Sequence, residues 1–367
     1  MSRSLADGPA IGSKQLSNRI AIAPLYMPCL NGPRGEVTRA TVDHYAALAA
    51  GGPGLVIQEA TCVLPTGKIG PRQLELSSDD QVGAHAAIAA AVHAAGVPIV
   101  MQIHHAGVLA CDDRLVSASE CSLERRVRPD SGRSDAGGRR LAHARALSGP
   151  EVEDVIEAFV AAGRRAAAAG YDGVELHGCH GYLLCQFLNS RINRRDDAYA
   201  DPLRVILPIM EGIRAEAPPG FLVGIRLAYA EPTLADGIAH ARGLDAAGVD
   251  FIDVSSGFPG AFEPDVPAGW PYSDRAWGAS RIKPVVSAPV FAVGGIRTPE
   301  QAQGVLDSAG VDMVDIGRSA LVDPGWPATA LAGGTPGACV HCKSCFWRFD
   351  PEGCPGRKRM ERRGPKG

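Results

Sequence analysis

Residues 166–182 run AAAAGYDGVELHGCHGY. An alanine-rich, helix-forming stretch ends at Gly170, Tyr171-Asp172 turns the chain, and Gly173-Val174-Glu175-Leu176 is a short apolar run. Where that run ends, His177 and His180 stand three residues apart, with Tyr182 two further on. Helix, tight turn, buried strand and then titratable groups is the order in which an α/β barrel presents its chemistry, at the C-terminal ends of strands.

The same unit recurs along the chain. Eight short runs, nearly all apolar and bounded by Gly, Pro or Asp, cover residues 19–23, 55–59, 99–104, 173–177, 222–225, 251–254, 290–293 and 313–316. Strands buried on both faces look like this. Helical patterns lie between them at 38–50, 78–95, 148–169, 202–217, 236–247, 298–309 and 325–332. Ser77 or Ser78 precedes Asp79 and Asp80 as a cap, and Ser148-Gly149-Pro150-Glu151 joins a capping residue to Pro and an acid in the first turn. Val152, Val155, Ile156, Phe159 and Val160 then form an inner stripe. Repeated strand–helix units imply parallel strands, and eight of them predict a closed (β/α)8 TIM barrel. The helix between the sixth and seventh strands is the weakest of the set. Residues 108–147, rich in Arg, Ser and Gly, interrupt the pattern after the third strand; they read as a substrate lid or as a disordered insertion. The barrel is expected over 1–335, with a Cys-rich extension over 336–367 whose Arg/Lys-rich end, from Pro355, reads as a solvated tail.

Composition agrees with an enzyme-sized core. Of 367 residues, 46% are hydrophobic and 21% charged, which excludes global disorder. A net charge of −3 leaves no electrostatic footprint for nucleic acid or an anionic membrane. No charged-then-apolar leader and no bilayer-length apolar run is present, so a cytoplasmic protein is expected, with a small molecule as its partner; a homo-oligomer is compatible with this. Ten cysteines in a reducing compartment point to a metal or catalytic use for any local cluster.

Taken together, NRIAIAP at 18–24, GGPGLVIQEA at 51–60 with VLPTGKIG after it, QIHHAG at 102–107, the HGCHGYLLCQFLN block, GIRL at 224–227, AVGGI at 292–296 and VDIGRSALVDP at 314–324 resemble the old yellow enzyme superfamily of FMN-dependent barrels. The resemblance implies FMN, with NAD(P)H as its reductant. Ala23, Pro24, Leu25 and Ala60 match positions that lie against the flavin ring. Gln102 matches the residue that pairs with its pyrimidine edge. Arg226 matches the cation beside N1 and O2, where reduced flavin carries negative charge. Gly294-Gly295 and Gly317-Arg318 match the phosphate site, and they also suit a phosphate on physical grounds, as backbone-rich turns beside a fixed cation.

His177 and His180 match the pair that binds the electron-withdrawing oxygen of the substrate. Two preorganised N–H donors stabilise the charge that hydride delivery builds on that oxygen, at roughly 3 kcal/mol per donor. Tyr182 matches the proton donor to the α-carbon, and an ordinary phenol is protonated at neutral pH, as a donor must be. Three departures stand out. Val108 replaces a common Arg, NRRDDAYADPLR at 193–204 lacks the family's glycines, and Tyr26 stands where relatives place the Thr or Cys that tunes the flavin.

Cys339, Cys342, Cys345 and Cys354 form C-x2-C-x2-C-x8-C beyond the last strand. Such runs hold iron–sulfur clusters, and zinc also accepts four thiolates. The iron–sulfur branch of the superfamily, which includes 2,4-dienoyl-CoA reductase and trimethylamine dehydrogenase, carries a [4Fe–4S] cluster here. Three functions therefore compete: an NAD(P)H-dependent reductase of activated C=C bonds, an amine or ketone dehydrogenase that passes electrons to a cluster, and a non-catalytic redox-sensing or metal-binding barrel.

Overall fold

A computed structural model describes residues 3–126, 139–258 and 265–362. Eight strands, β1 (Ile20–Ile22), β2 (Leu55–Cys62), β3 (Ile99–His104), β4 (Gly173–Gly178), β5 (Leu222–Ala228), β6 (Ile252–Ser255), β7 (Val290–Val293) and β8 (Met313–Ile316), close into one parallel barrel. Each pairs with its sequence neighbour, and β8 closes on β1 through Val314 opposite Ile20. The expected (β/α)8 barrel is the fold.

Ser148 caps a helix as expected, and Ser78 caps a single turn, Asp79–Gln81, that leads into the helix beginning at Val82. Thr38 and Thr41 form a capping box at the head of α1 (Arg39–Ala50). Ser148 and Glu151 do the same for α3 (Gly149–Ala168), which follows α2 (Val82–His93). Each such cap contributes about 1 kcal/mol. The whole predicted stripe of α3 is buried. After α4 (Ile206–Glu216) and α5 (Leu234–Ala246), the helix expected to be weak is a nine-residue α6 (Asp274–Ile282) capped by the Ser273 hydroxyl. Its apolar signal is faint because small residues are required: a Cβ on Gly278 would stand 2.2 Å from the Tyr229 ring.

The barrel interior has two storeys. The lower one is apolar, built from Ile11, Leu16, Ala21, Leu55, Ile57, Val100, Leu222, Phe251, Phe291 and Met313. A short hairpin, Ala10–Ile11 against Lys14–Gln15, brings Ile11 and Leu16 into it. Phe251 and Phe291 stack with centroids 4.9 Å apart, and Gly224 makes room for them, since a Cβ there would lie 2.2 Å from the Phe251 ring. The upper storey is polar and belongs to the site.

Two expectations change. In 108–147, Cys121–Arg126 and Arg139–Ala146 pair as antiparallel strands, with Val116–Ser117 alongside the second. Ala142, Ala144 and Leu123 pack on Val108 and Leu115, so this part is structured by apolar contact rather than disordered. Residues 127–138 lie outside the described residues. The chain end also differs from a solvated tail. Residues Pro355–Glu361 form a helix, Gly356 is buried against Val322, and the Arg357 guanidinium lies 5.1 Å from the centre of the Trp347 ring. Trp347 is held in turn by a cluster with Met27, Leu321 and Val322. A basic composition hid a segment whose few small and aromatic residues anchor it.

Candidate active site

A cavity of about 320 Å³ opens at the C-terminal ends of the strands. Ala23, Pro24, Leu25, Tyr26, Ala60, Gln102, His177, His180, Tyr182, Arg226, Gly294, Gly295, Gly317 and Arg318 all line it, as does Cys339. Cys342, Cys345 and Cys354 border a smaller neighbouring cavity, whose wall also includes Cys339 and Arg318. None of the described residues between 110 and 147 lines the large cavity.

His177 stands at the end of β4 and His180 in the loop beyond it. That loop is tied down on two sides. The His180 amide donates to the Ser256 carbonyl at 2.9 Å, and the Leu183 amide donates to the His105 carbonyl at 3.0 Å. His180 adopts φ 59°, a left-handed conformation that a non-glycine residue holds at a cost of about 1–3 kcal/mol. The result is that His177 Nε2 and His180 Nδ1 face each other at 3.0 Å, and His180 Nε2 meets the Ser255 hydroxyl at 2.8 Å. Tyr182 packs edge-on against His104 (4.4 Å) and His177 (4.9 Å). Both site histidines are neutral at physiological pH. Burial, with help from His104, His180 and Arg226, holds His177 well below the usual imidazole range. Burial, then Arg226 and Arg275, lowers His180 to about 3.

Below the histidines lies the polar storey. Gln102 donates to Glu175 Oε1 at 2.6 Å across β3 and β4. Arg226 on β5 lies 3.1 Å from Asp253 on β6. Asp315 on β8 completes the group and lines the cavity. Glu175 and Asp253 have no exposed surface and Asp315 is 1% exposed. Burial, then the neighbouring Asp253, pushes Glu175 up to about 8 and Asp315 well above the carboxylate range. Burial opposes the charge on Arg226, but Asp253 and its neighbours outweigh it and strengthen that charge.

The rim on the β7–β8 side is made of turns and cations. Gly294 (φ 116°) and Gly295 (φ 72°) turn the chain in conformations that favour glycine, and a Cβ on Gly294 would lie 2.8 Å from Arg275 Nε. Arg297, Arg318 and His341 stand on this rim. The chemistry suits FMN: a cationic, backbone-rich rim for a phosphate and a cavity for a flat ring. Its floor carries buried polar atoms without hydrogen-bond partners, among them Arg226 Nε, Glu175 Oε2 and both Asp315 oxygens.

Sequence reading missed Ser255, Arg275, Asp315 and His341. Asp315 sits inside a strand read as core, where a single polar residue in an apolar run was the available signal, and Ser255 stands one residue past the end read for another strand. Arg275 belongs to the helix with the faint pattern.

Fold and cavity define an α/β barrel with a candidate site on the C-terminal face of its strands. The model of the NADH:flavin oxidoreductase / NADH oxidase family matches residues 9–334. The chain is 36% identical over 338 residues to an NADH oxidase of Thermoanaerobacter brockii, covering 88% of this chain but 50% of that protein. It is 32% identical over 325 residues to an NADPH dehydrogenase of Halalkalibacterium halodurans, covering 86% of this chain and 90% of that one. In structure it resembles morphinone reductase (TM-score 0.72, 24% identity, 92% and 91% covered) and an old yellow enzyme homologue from Zymomonas mobilis (TM-score 0.76, 24% identity, 96% and 98% covered). The chain belongs to the NADH:flavin oxidoreductase / NADH oxidase family. It is an FMN-dependent oxidoreductase, and the family implies NAD(P)H and a small-molecule substrate. Among the described residues no helix is long and apolar enough to cross a membrane.

Proposed function

We propose that this protein reduces the activated C=C bond of an enone-type small molecule with NAD(P)H. The observation that carries the reading is the single cavity that gathers Gln102, Arg226, Gly294, Gly295, Gly317 and Arg318 around one region, with His177, His180 and Tyr182 beside it. Ala23, Pro24, Leu25 and Ala60 form the wall for the ring, Arg226 and Gln102 meet its polar edge, and Arg318 with the glycine turns holds the phosphate. When bound, FMN accepts a hydride from NAD(P)H and gives one to the substrate.

The protein's part is electrostatic. A substrate oxygen entering between His177 Nε2 and His180 Nδ1 is within reach of both. Since the two nitrogens face each other at 3.0 Å, one donates and the other accepts before substrate arrives. Binding an oxygen needs both to donate, so one imidazole changes tautomer. Ser255 permits this at His180, because its hydroxyl can either donate to or accept from Nε2. Tyr182 supplies the proton to the α-carbon. Two N–H donors at roughly 3 kcal/mol each make the pair the largest catalytic contribution from the protein.

The test is a His177→Ala/His180→Ala double variant. It retains FMN, seen by flavin absorbance, and loses both enone turnover and the binding of phenols that mimic an enolate. Retained phenol binding refutes the role of the pair. Tyr182→Phe slows flavin reoxidation by enones more than reduction by NAD(P)H; equal slowing removes the phenol as proton donor.

A second reading, a dehydrogenase that passes electrons to an iron–sulfur cluster, is favoured by one observation. Cys339, Cys342, Cys345 and Cys354 surround the small cavity, and Cys339 also lines the large one. Zinc fits this arrangement poorly. Tetrahedral zinc holds thiolates about 3.8 Å apart, whereas no three of these sulfurs gather within 4.8 Å. A cluster, larger than one ion, needs the wider spacing. Four irons and four labile sulfides per chain after anaerobic reconstitution support this reading, and their absence refutes it.

A further inference from the structure

Cys179 lies between the two site histidines in sequence and has no exposed surface. His180 Nδ1 is 3.4 Å from Cys179 Sγ and 3.0 Å from His177 Nε2. The three atoms lie within 4.8 Å of one another. Tetrahedral zinc holds two imidazole nitrogens about 3.3 Å apart, and a nitrogen and a thiolate sulfur about 3.6 Å apart. The observed separations of 3.0 and 3.4 Å fall just short of these, so small ring movements make room for an ion. Among the described residues no other group of His, Cys, Asp and Glu gathers this closely.

The surroundings suit a metal. A metal-bound imidazole commonly gives its other N–H to a fixed acceptor, which sets the tautomer. His180 has such a partner in the Ser255 hydroxyl, 2.8 Å from Nε2, and that donation leaves Nδ1 bare toward His177 and Cys179. The same hydroxyl bonds the Cys179 thiol, so one side chain steadies two ligands. The rings of His104 and Tyr182 pack on His177 at 4.9 Å each. Cys185 is directed elsewhere, since its thiol donates to Glu231 at 3.2 Å. Of the cations nearby, Arg226 faces Asp253 at 3.1 Å and Arg275 faces Asp274 at 3.6 Å, which reduces their repulsion of a divalent ion.

We infer that His177, Cys179 and His180 form a binding site for a divalent transition-metal ion of the zinc class, and that the bound ion bars the substrate oxygen from the histidine pair. Two imidazoles and a thiolate select such ions over magnesium and calcium, which take oxygen ligands. The thiol proton leaves to water as the sulfur–metal bond forms, and no electron is transferred. An ion held through both facing nitrogens leaves no N–H there for a substrate. Both histidines line the cavity, so the metal's fourth position has room for water. The site depends only on these three side chains; the block of turnover rests on the enone reading of the same pair.

The experiment titrates zinc against a coloured chelator into tag-free, FMN-loaded wild type, Cys179→Ala and His177→Ala/His180→Ala. Each variant is expected to bind one zinc ion fewer per chain, or to bind that ion at least about tenfold more weakly. Equal zinc content and affinity in all three overturn the site. Cys179→Ser repeats the comparison if alanine disturbs the buried loop. X-ray absorption of the zinc-loaded wild type is expected to show nitrogen and sulfur ligands together; sulfur alone overturns the site without recourse to a variant. Zinc is also expected to displace a bound phenol from the wild type, and the zinc needed rises at least about tenfold in Cys179→Ala. A phenol that stays bound at saturating zinc overturns the block. A wild type that binds zinc through these residues but neither binds phenols nor turns over enones sinks the enone reading instead and leaves the metal site.

Discussion

Phe251 and Asp253 are two residues apart beside one another in the barrel interior, as are Met313 and Asp315, Val100 and Gln102, and Gly224 and Arg226. One step of the strand's two-residue period carries each of these four strands from the apolar storey to the polar one. The lower storey works by close packing: two stacked phenylalanines, a glycine that gives them room and aliphatic side chains around them. The upper storey gives up that packing energy and buries charge, which is costly unless paired. It does so only where the strands open onto the cavity. Close packing therefore holds the lower end, and the cavity with its polar lining opens at the upper end of the same barrel.

The comparison can be broken most sharply from below. Phe251→Ala removes a fully buried ring from a site that cannot collapse around the stack, and costs about 3–5 kcal/mol of stability in urea denaturation. A loss under about 1 kcal/mol would mean that the lower storey is loosely packed. The upper storey responds less. Removing one partner of an isolated buried ion pair costs about 3–5 kcal/mol, but Asp253→Asn should cost only about 1–2 kcal/mol, because Glu175 or Asp315 can ionise beside Arg226 in its place. A full-sized loss would show that the three carboxyls do not exchange roles.

The smallest effect is in pH dependence. Glu175 is held protonated by burial up to about 8, whereas an unfolded glutamate ionises near 4.5. The folded state therefore binds the extra proton in that window, and stability falls as pH rises through it. His177 and His180 act with the opposite sign. Their depressed values mean that the unfolded chain takes up protons first, so stability falls as pH drops below about 6.5. Between pH 6.5 and 8 only the acid effect operates. Glu175→Gln should flatten the decline of FMN-free protein across that interval in denaturation curves. An unchanged slope assigns the decline to other groups.

Much of this was legible in the chain because the signals are local. Ser148 caps its helix as the sequence predicts, the helical patterns that begin at Thr38 and Thr298 are helices, and strands at 99–104, 290–293 and 313–316 have the expected bounds. The misses share a cause. Helix α6 has little apolar stripe because Gly278 must admit Tyr229. The strands of 108–147 gain their order from Val108 and Leu115 beneath them, and the basic end of the chain from Trp347. In each case a neighbour distant in sequence supplies what the segment lacks.

The sequence by itself determined the barrel, through eight apolar runs alternating with capped helices. It also marked the candidate site, through His177, His180 and Tyr182 just past a strand end. Only the tertiary structure decided that Glu175, Asp253 and Asp315 surround Arg226. A two-residue period says which face of a strand a residue occupies. Which faces meet across the interior depends on how the eight strands stagger as they close, and that closure sets the charge beneath the cavity.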